Sequence, residues 1–242
     1  MTTEAELKRL IDLSAGDPRY EADFLRALLP ATLYVHLPLA KSGRKLHLVC
    51  FTRPDGLTVI PIFSDPAKAQ VAAQGAVRVG SVRGWELFMS APGATFMLDP
   101  NDTSTTLYPE EITALLSNGT ATLAPTFVPD APVEVSPALP EDGWVITLLV
   151  AAVESIDAVE AVHLVHAHMA GSLQPTGLLA VIAVPHAFAE RAARAVALAL
   201  KASDRKPRLA VDMTTYEPGD PPEWVSLAGL APTWTRRSHA GH

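Results

Sequence analysis

The sequence predicts an α+β protein of two domains, each a small mixed or antiparallel sheet with helices packed on one face. Three observations carry this. Strand-like runs in residues 32–63 follow one another across short polar turns, which makes them antiparallel neighbours. Helix starts are marked by a proline beside acidic residues, at Asp17-Pro18, Asp65-Pro66, Pro109-Glu110-Glu111 and Pro140-Glu141-Asp142. Residues 124–140 hold five prolines, at 125, 129, 132, 137 and 140, a density that reads as a semi-rigid extended linker. The predicted boundaries are therefore a domain over 1–123, a linker over 124–139 and a domain over 140–242.

In chain order, residues 4–13 form a short amphipathic helix with Leu7, Leu10 and Ile11 on one stripe. A second helix begins at Asp17-Pro18, places Tyr20, Phe24 and Leu28 at every fourth position, and ends before Pro30. Residues 32–39 and 46–52 read as strands joined by the polar turn Lys41-Ser42-Gly43-Arg44. Arg53-Pro54-Asp55-Gly56 is a stronger turn, with proline second and glycine fourth. It leads into the strand 57–63, where Pro61 predicts a sheet edge or a bulge because it cannot donate to a ladder. Asp65 then caps a helix with Pro66 at its first position. Short strands are expected at 76–82 and 95–98, and a helix opens at Pro109 and closes at Asn118-Gly119.

Past the linker two readings compete. Propensity alone makes 144–150 a strand and 156–169 a helix. The acidic, proline-led start at Pro140 argues instead for a helix over 140–153 and a strand over 159–168. We adopt the second reading, with Val159, Ala161, His163, Val165 and Ala167 sharing a face. Residues 171–177 turn the chain into a returning strand at 178–184. Pro185 starts an alanine-rich helix to about residue 200, with Phe188, Ala192, Ala195 and Ala199 inward and Arg191, Arg194 and Lys201 outward. Leu209, Val211 and Met213 alternate as a last strand, and the tail from Glu217 is expected to lie over the surface.

Composition excludes several classes. The formal charge is −7, with 11 basic and 13 acidic side chains in residues 1–124 and 8 and 13 in residues 125–242. Neither half offers a basic face, which disfavours a nucleic-acid partner. A single cysteine, Cys50, precludes an internal disulfide and fits a reducing compartment. The polar, acidic start lacks the basic, apolar pattern of a signal peptide, and no apolar run approaches the ~20 residues of a membrane span. The expectation is a cytoplasmic protein without a membrane partner.

Each candidate for chemistry meets a plainer reading. Cys50 lies between Val49 and Phe51 with no glycine-rich loop after it, so it is expected to be a buried packing residue rather than a nucleophile. His163, His166 and His168 are the one histidine cluster. On a strand His166 and His168 share a face with Glu160 while His163 points away, so three histidines do not converge on one metal. Asp99, Asn101, Thr103 and Glu110 match positions of a calcium-loop count, but Ser104 stands where glycine is required and Pro100 intrudes. Gly80-Ser81-Val82-Arg83-Gly84 lacks the spacing of a phosphate loop. Trp224 and Trp234, flanked by Pro221-Pro222 and Pro232, are expected to pin the tail to its own domain.

Residues 24–119 resemble the N-terminal domain of the SseB family, named for enhanced serine sensitivity. The matching pieces are Phe24-Leu25-Arg26-Ala27-Leu28-Leu29, Val59-Ile60-Pro61-Ile62-Phe63-Ser64 and Leu107-Tyr108-Pro109-Glu110-Glu111-Ile112, with Met97-Leu98-Asp99-Pro100-Asn101 replacing the family's Asn-Pro-Gly-like turn. Residues 138–234 resemble its C-terminal domain through Val159-Glu160-Ala161-Val162-His163-Leu164 and Ala231-Pro232-Thr233-Trp234. The resemblance implies a two-domain plan and supplies no catalytic residues. The function expected is a non-enzymatic binding module for a protein or small-molecule partner, with no cofactor, no metal and no catalytic residue assigned. The alternative is a metal-dependent hydrolase using Glu160, His166 and His168. A homo-oligomer, through the alanine-rich helix or an edge strand, is also left open.

Overall fold

The computed structural model describes residues 4–40, 47–102, 104–118, 133–169, 174–227 and 230–236. The chain divides into two compact units, Met1–Leu123 and Ala124–His242. Among the described residues both are α+β, each with one mixed sheet.

The first unit starts with α1 (Glu4–Gly16), a 3-10 turn at Pro18–Tyr20 and α2 (Glu21–Leu28). Asp17 caps that turn by accepting from the Arg19 N–H, which is the predicted cap-plus-proline start. Strands β1 (Thr32–Leu37), β2 (Phe51–Thr52) and β3 (Thr58–Phe63) follow, then α3 (Pro66–Ala73), β4 (Arg78–Arg83), α4 (Gly84–Ser90), β5 (Phe96–Leu98), β6 (Thr105–Leu107) and α5 (Pro109–Asn118). The sheet order is β4-β1-β3-β5-β6, with β2 beside β3. All its pairings are antiparallel except β3 with β5.

Alternation along β1 sorts the two faces. Leu33 and Val35 join Leu7, Leu10, Phe24, Leu28, Ile62, Phe88 and Phe96 in one core under α1, α2 and α4. The Phe88 and Phe96 rings meet edge-on at 5.2 Å, a favoured aromatic geometry. His36 points the other way, where its Nε2 lies 2.9 Å from the Ala69 carbonyl of α3. Asp65 caps α3 through the N–H groups of Ala67 and Lys68, and Pro66 fills the first helical position as expected.

Pro61 sits in an inner strand, not at the sheet's edge. Ile60 and Ile62 use their backbone toward β5, so the proline nitrogen faces the opposite side. There β2 pairs only residues 58 and 59, and β1 pairs only 62 and 63. Pro61 therefore occupies the gap between two partners, where no donor is required. The His36 carbonyl, opposite Pro61, accepts instead from the Val49 N–H at 3.0 Å.

The second unit contains β7 (Val133–Pro137), a 3-10 turn at Pro140–Asp142, α6 (Gly143–Val153), β8 (Ala161–Met169), β9 (Gly177–Ala183), α7 (His186–Ala202), β10 (Val211–Tyr216), α8 (Glu223–Leu227) and β11 (Trp234–Thr235). The start signal at Pro140 thus outweighed strand propensity in residues 144–150. The sheet order is β10-β9-β8-β11, with β10 parallel to β9 and the other pairs antiparallel. Val162 and Leu164 of β8 pack with Val145, Leu149 and Val153 of α6 and Ala192, Ala195 and Val196 of α7. Val165, Val181 and Val225 form a smaller apolar cluster with Tyr216, Trp224 and Leu230.

Several expectations are corrected. The linker region contributes β7, because Val133–Pro137 finds an open edge on β8. Arg194, expected outward, is buried beside the alanines of α7 and reaches Glu190 Oε1 at 3.4 Å. Small alanines let α7 pack closely, which widens the covered stripe beyond the one the sequence period suggests. The tail is not merely laid over the surface, since Trp234–Thr235 pairs with β8 as β11. The turn at 41–44, Gly119, linker residues 124–132 and residues 171–173 of the turn expected at 171–177 lie outside the described residues.

Candidate functional site

The strongest candidate lies on the second sheet, on the side away from α6 and α7. Alternation along β8 sends Val162 and Leu164 into the helix-covered core and leaves His163 on the opposite side. Tyr216 ends β10, two strands away across β9. The parallel register of β10 with β9 puts Thr214 beside Val181, the residue that also faces His163. Tyr216, two residues on and on the same face, reaches back so that its Oη lies 3.0 Å from His163 Nε2.

The pair opens into a cleft of about 380 Å³ lined by His163, Tyr216, Pro221, Val225, Leu230, Ala231 and Pro232. His163 is 3% exposed, and its Nδ1 is buried without a hydrogen-bond partner. Burial pushes the imidazole pKa below its ordinary value, although the Leu230 and Ala231 carbonyls beside the ring pull the other way. Burial and the negative charge of Glu160 hold the Tyr216 phenol above its ordinary range. Near neutral pH the cleft thus presents a neutral imidazole and a neutral phenol against an apolar wall. Among the described residues its lining carries no serine, cysteine, lysine or carboxylate.

The other histidines of β8 are occupied elsewhere. His166 is buried with Nε2 2.9 Å from Asp142 Oδ2, at the start of α6. His168 Nε2 lies 2.8 Å from Ser136 Oγ on β7, and the two rings stand 6.4 Å apart. They share a face as expected, with His163 on the other. Glu160 precedes the strand and is exposed. Among the described residues no three His, Cys, Asp or Glu side chains are gathered to hold a metal ion.

In the first unit, Asp99 and Lys68 join where the parallel strands β3 and β5 end. The Asp99 carboxylate accepts from the Ser64 N–H at 2.9 Å, the Ser64 hydroxyl at 2.6 Å and Lys68 Nζ at 2.7 Å. Lys68 also reaches Asp102 at 2.8 Å. Burial alone would lower the Lys68 pKa, but hydrogen bonds to Asp102 and Asp99 and the attraction of both carboxylates outweigh it and raise the value. An ammonium held in this way is no base for Ser64, so the cluster is a structural lock. Asp99 turns inward with φ +46°, which is why it does not serve a calcium loop. Asn101 is exposed, Glu110 is in the first turn of α5, and Thr103 lies outside the described residues.

Cys50 is exposed, which corrects the expectation of a packing cysteine. Residues 47–50 are not strand, and β2 begins only at Phe51, so no second layer covers the thiol. Gly80-Ser81-Val82-Arg83-Gly84 is the end of β4 and the start of α4. The Gly84 N–H donates to the Ala31 carbonyl there, and close backbone packing explains the glycine. Trp224 packs on the Val165 cluster and Trp234 on the α6–α7 core, as tail anchors should. Tyr216 escaped sequence reasoning because the expected last strand stopped at Met213, three residues short.

No helix among the described residues is long and apolar enough to cross a membrane. Residues 7–114 match the family model of the SseB protein N-terminal domain. No curated protein and no solved structure matches the chain.

Proposed function

With a first unit that belongs to the SseB N-terminal domain family over residues 7–114, the chain is, we propose, a non-enzymatic cytoplasmic binding protein whose second unit takes a small ligand in the His163–Tyr216 cleft. One observation carries this: a largely apolar cleft of about 380 Å³ beside the hydrogen-bonded His163–Tyr216 pair. That volume falls at the lower end of the ~300–1,000 Å³ usual for small-molecule sites, and few polar groups in an apolar wall is their usual chemistry. The lone cysteine supports a reducing, cytoplasmic setting.

The test is a screen of small uncharged molecules against the full chain by NMR, with the Leu230→Trp variant as a control that fills the cleft. Shifts confined to His163, Tyr216, Val225 and their neighbours, lost in the variant, are expected. If every binder acts equally on the variant, the reading is wrong.

A further inference from the structure

We propose that β4, at one border of the first sheet, is a docking edge for an extended acidic peptide, which joins the sheet as one more antiparallel strand. The guest's carboxylates meet Arg78 and Arg83 at the two ends of β4. This edge belongs to the first unit, whereas the His163–Tyr216 cleft belongs to the second.

The open side of β4 follows from its pairing. Among the described residues β4 bonds to β1 alone, in an unbroken register from Arg83 opposite Thr32 to Arg78 opposite Leu37. The Gly84 N–H donates to the Ala31 carbonyl at 3.0 Å, and that bond sets the phase of the ladder. Antiparallel bonding alternates, so Arg78, Gly80 and Val82 serve β1. The N–H groups of Val79, Ser81 and Arg83 and the carbonyls of Val79 and Ser81 therefore point away from it. Ser81 and Arg83 are exposed, so solvent reaches this side. A regular row of this kind, with neither proline nor bulge, is a template for a further strand.

The charge of the guest follows from the sequence Arg78-Val79-Gly80-Ser81-Val82-Arg83. It holds two arginines and no carboxylate, in a chain whose formal charge is −7. Val82 packs against the core, which puts Arg78 on the core side of the sheet and Arg83 on the other. Both side chains are exposed. Arg78 Nε donates to the Pro38 carbonyl at 3.1 Å, and among the described residues neither guanidinium is in an ion pair, with Glu86 or any other acid. Glu4 reaches this sheet face at Tyr34, opposite Ser81, where the Tyr34 hydroxyl holds its carboxylate. The fitting guest is thus acidic at its two ends and uncharged in the middle. A second copy of the chain fits badly, because β4 on β4 gathers four arginines and no carboxylate in one ribbon.

The probe is the blocked peptide Ac-Glu-Val-Thr-Val-Thr-Glu-NH2, titrated into the full chain by calorimetry at low salt, with amide hydrogen exchange as a second readout. It is expected to bind and to slow exchange at Val79, Ser81 and Arg83. The same peptide with lysine at both ends should bind about tenfold more weakly, and the double variant Arg78→Glu, Arg83→Glu should reverse that order. Proline in place of the first threonine removes the N–H aimed at the Ser81 carbonyl and should weaken binding about fivefold. Equal binding of the lysine peptide, or of the proline peptide, overturns the addition of an acidic strand. Absence of binding overturns it too, as does protection of the same three amides in the free monomer. A dimer in sedimentation whose formation protects those amides gives the edge to a second copy, and overturns it as well.

Discussion

Lys68 Nζ lies 2.7 Å from Oδ2 of Asp99, a carboxylate with no exposed side-chain surface, and joins the first turn of α3 to the turn that follows β5. The same carboxylate receives both donors of Ser64 at the end of β3. Removing it strands both Ser64 donors and leaves Lys68 with Asp102 alone. Asp99→Ala is expected to cost about 3–5 kcal/mol, the usual penalty for breaking a buried pair. Asp99→Asn should cost about 1–3 kcal/mol, because asparagine still accepts from Ser64 and tolerates the positive φ. Urea unfolding of the two variants gives the order, and an alanine variant as stable as the asparagine one contradicts the lock.

Close backbone contact makes a second prediction. A Cβ on Gly84 would lie 2.0 Å from the Leu28 carbonyl oxygen, whereas one on Gly80 would meet only the Leu37 Cδ1 at 2.7 Å. The first obstacle is backbone and the second is the tip of a flexible side chain. Gly84→Ala should lose more than about 3 kcal/mol, and Gly80→Ala about 1 kcal/mol or less. Thermal melting of both proteins, side by side, reads the contrast.

The buried imidazole sets a pH dependence with a definite sign. His163 has a folded pKa below its unfolded value of about 6.5, so the unfolded chain binds the extra proton first. Its contribution is complete above pH ~6.5 and is lost as pH falls through that value toward the folded pKa. Lys68, with a raised folded pKa, behaves in the opposite sense: its contribution holds below pH ~10.4 and is lost above. Melting temperatures measured from pH 7.5 to 5 should fall more in the unaltered protein than in His163→Phe. Parallel curves would show that His163 does not titrate across folding.

Arg236 secures the tail. Its side chain donates to the carbonyls of Val159, Glu154 and Ile156, at 2.8, 3.0 and 3.1 Å, where α6 ends and β8 begins. Arg236→Ala should cost about 1–2 kcal/mol, since three carbonyls lose a charged donor. Hydrogen exchange localises the effect: the amides of Thr233 and Arg236, which bond to Val162 of β8 and to Glu160 just before it, should exchange faster while those of β9 stay protected.

Much of this architecture was legible in residue order, and the reasons are local. Asp65-Pro66 and Pro109-Glu110-Glu111 announce helices because cap and dipole chemistry act within one turn. The choice of helix for Gly143–Val153 rested on the same logic, and the separation of His163 from His166 and His168 needed only a strand period of two. What stayed hidden depends on partners distant in sequence. β6 has three residues and β11 two, too few to show alternation, and they are strands because β5 and β8 offer open edges. Asp99 looks like a turn residue until Lys68, 31 positions earlier, is brought to it. Cys50 looks buried because its neighbours are apolar, yet it lies just before β2 and is exposed. The cleft was the least visible feature, since it joins β8, β10 and the segment near residue 230, none of which carries a motif.

One feature of the second sheet bears on how the chain is made. β9 occupies one side of β8 along its length, and the other side is shared end to end by β7, opposite residues 165–169, and β11, opposite 161–162. Between them the Leu164 N–H is met by the Thr233 hydroxyl at 3.2 Å. A single border is thus stitched from segments that leave the ribosome almost a hundred residues apart. Until the later segment emerges, Val162 and Leu164 have open backbone groups in a sheet whose other strands are already synthesised. Nascent chains halted short of Thr233 should therefore be the form of this unit most in need of a chaperone.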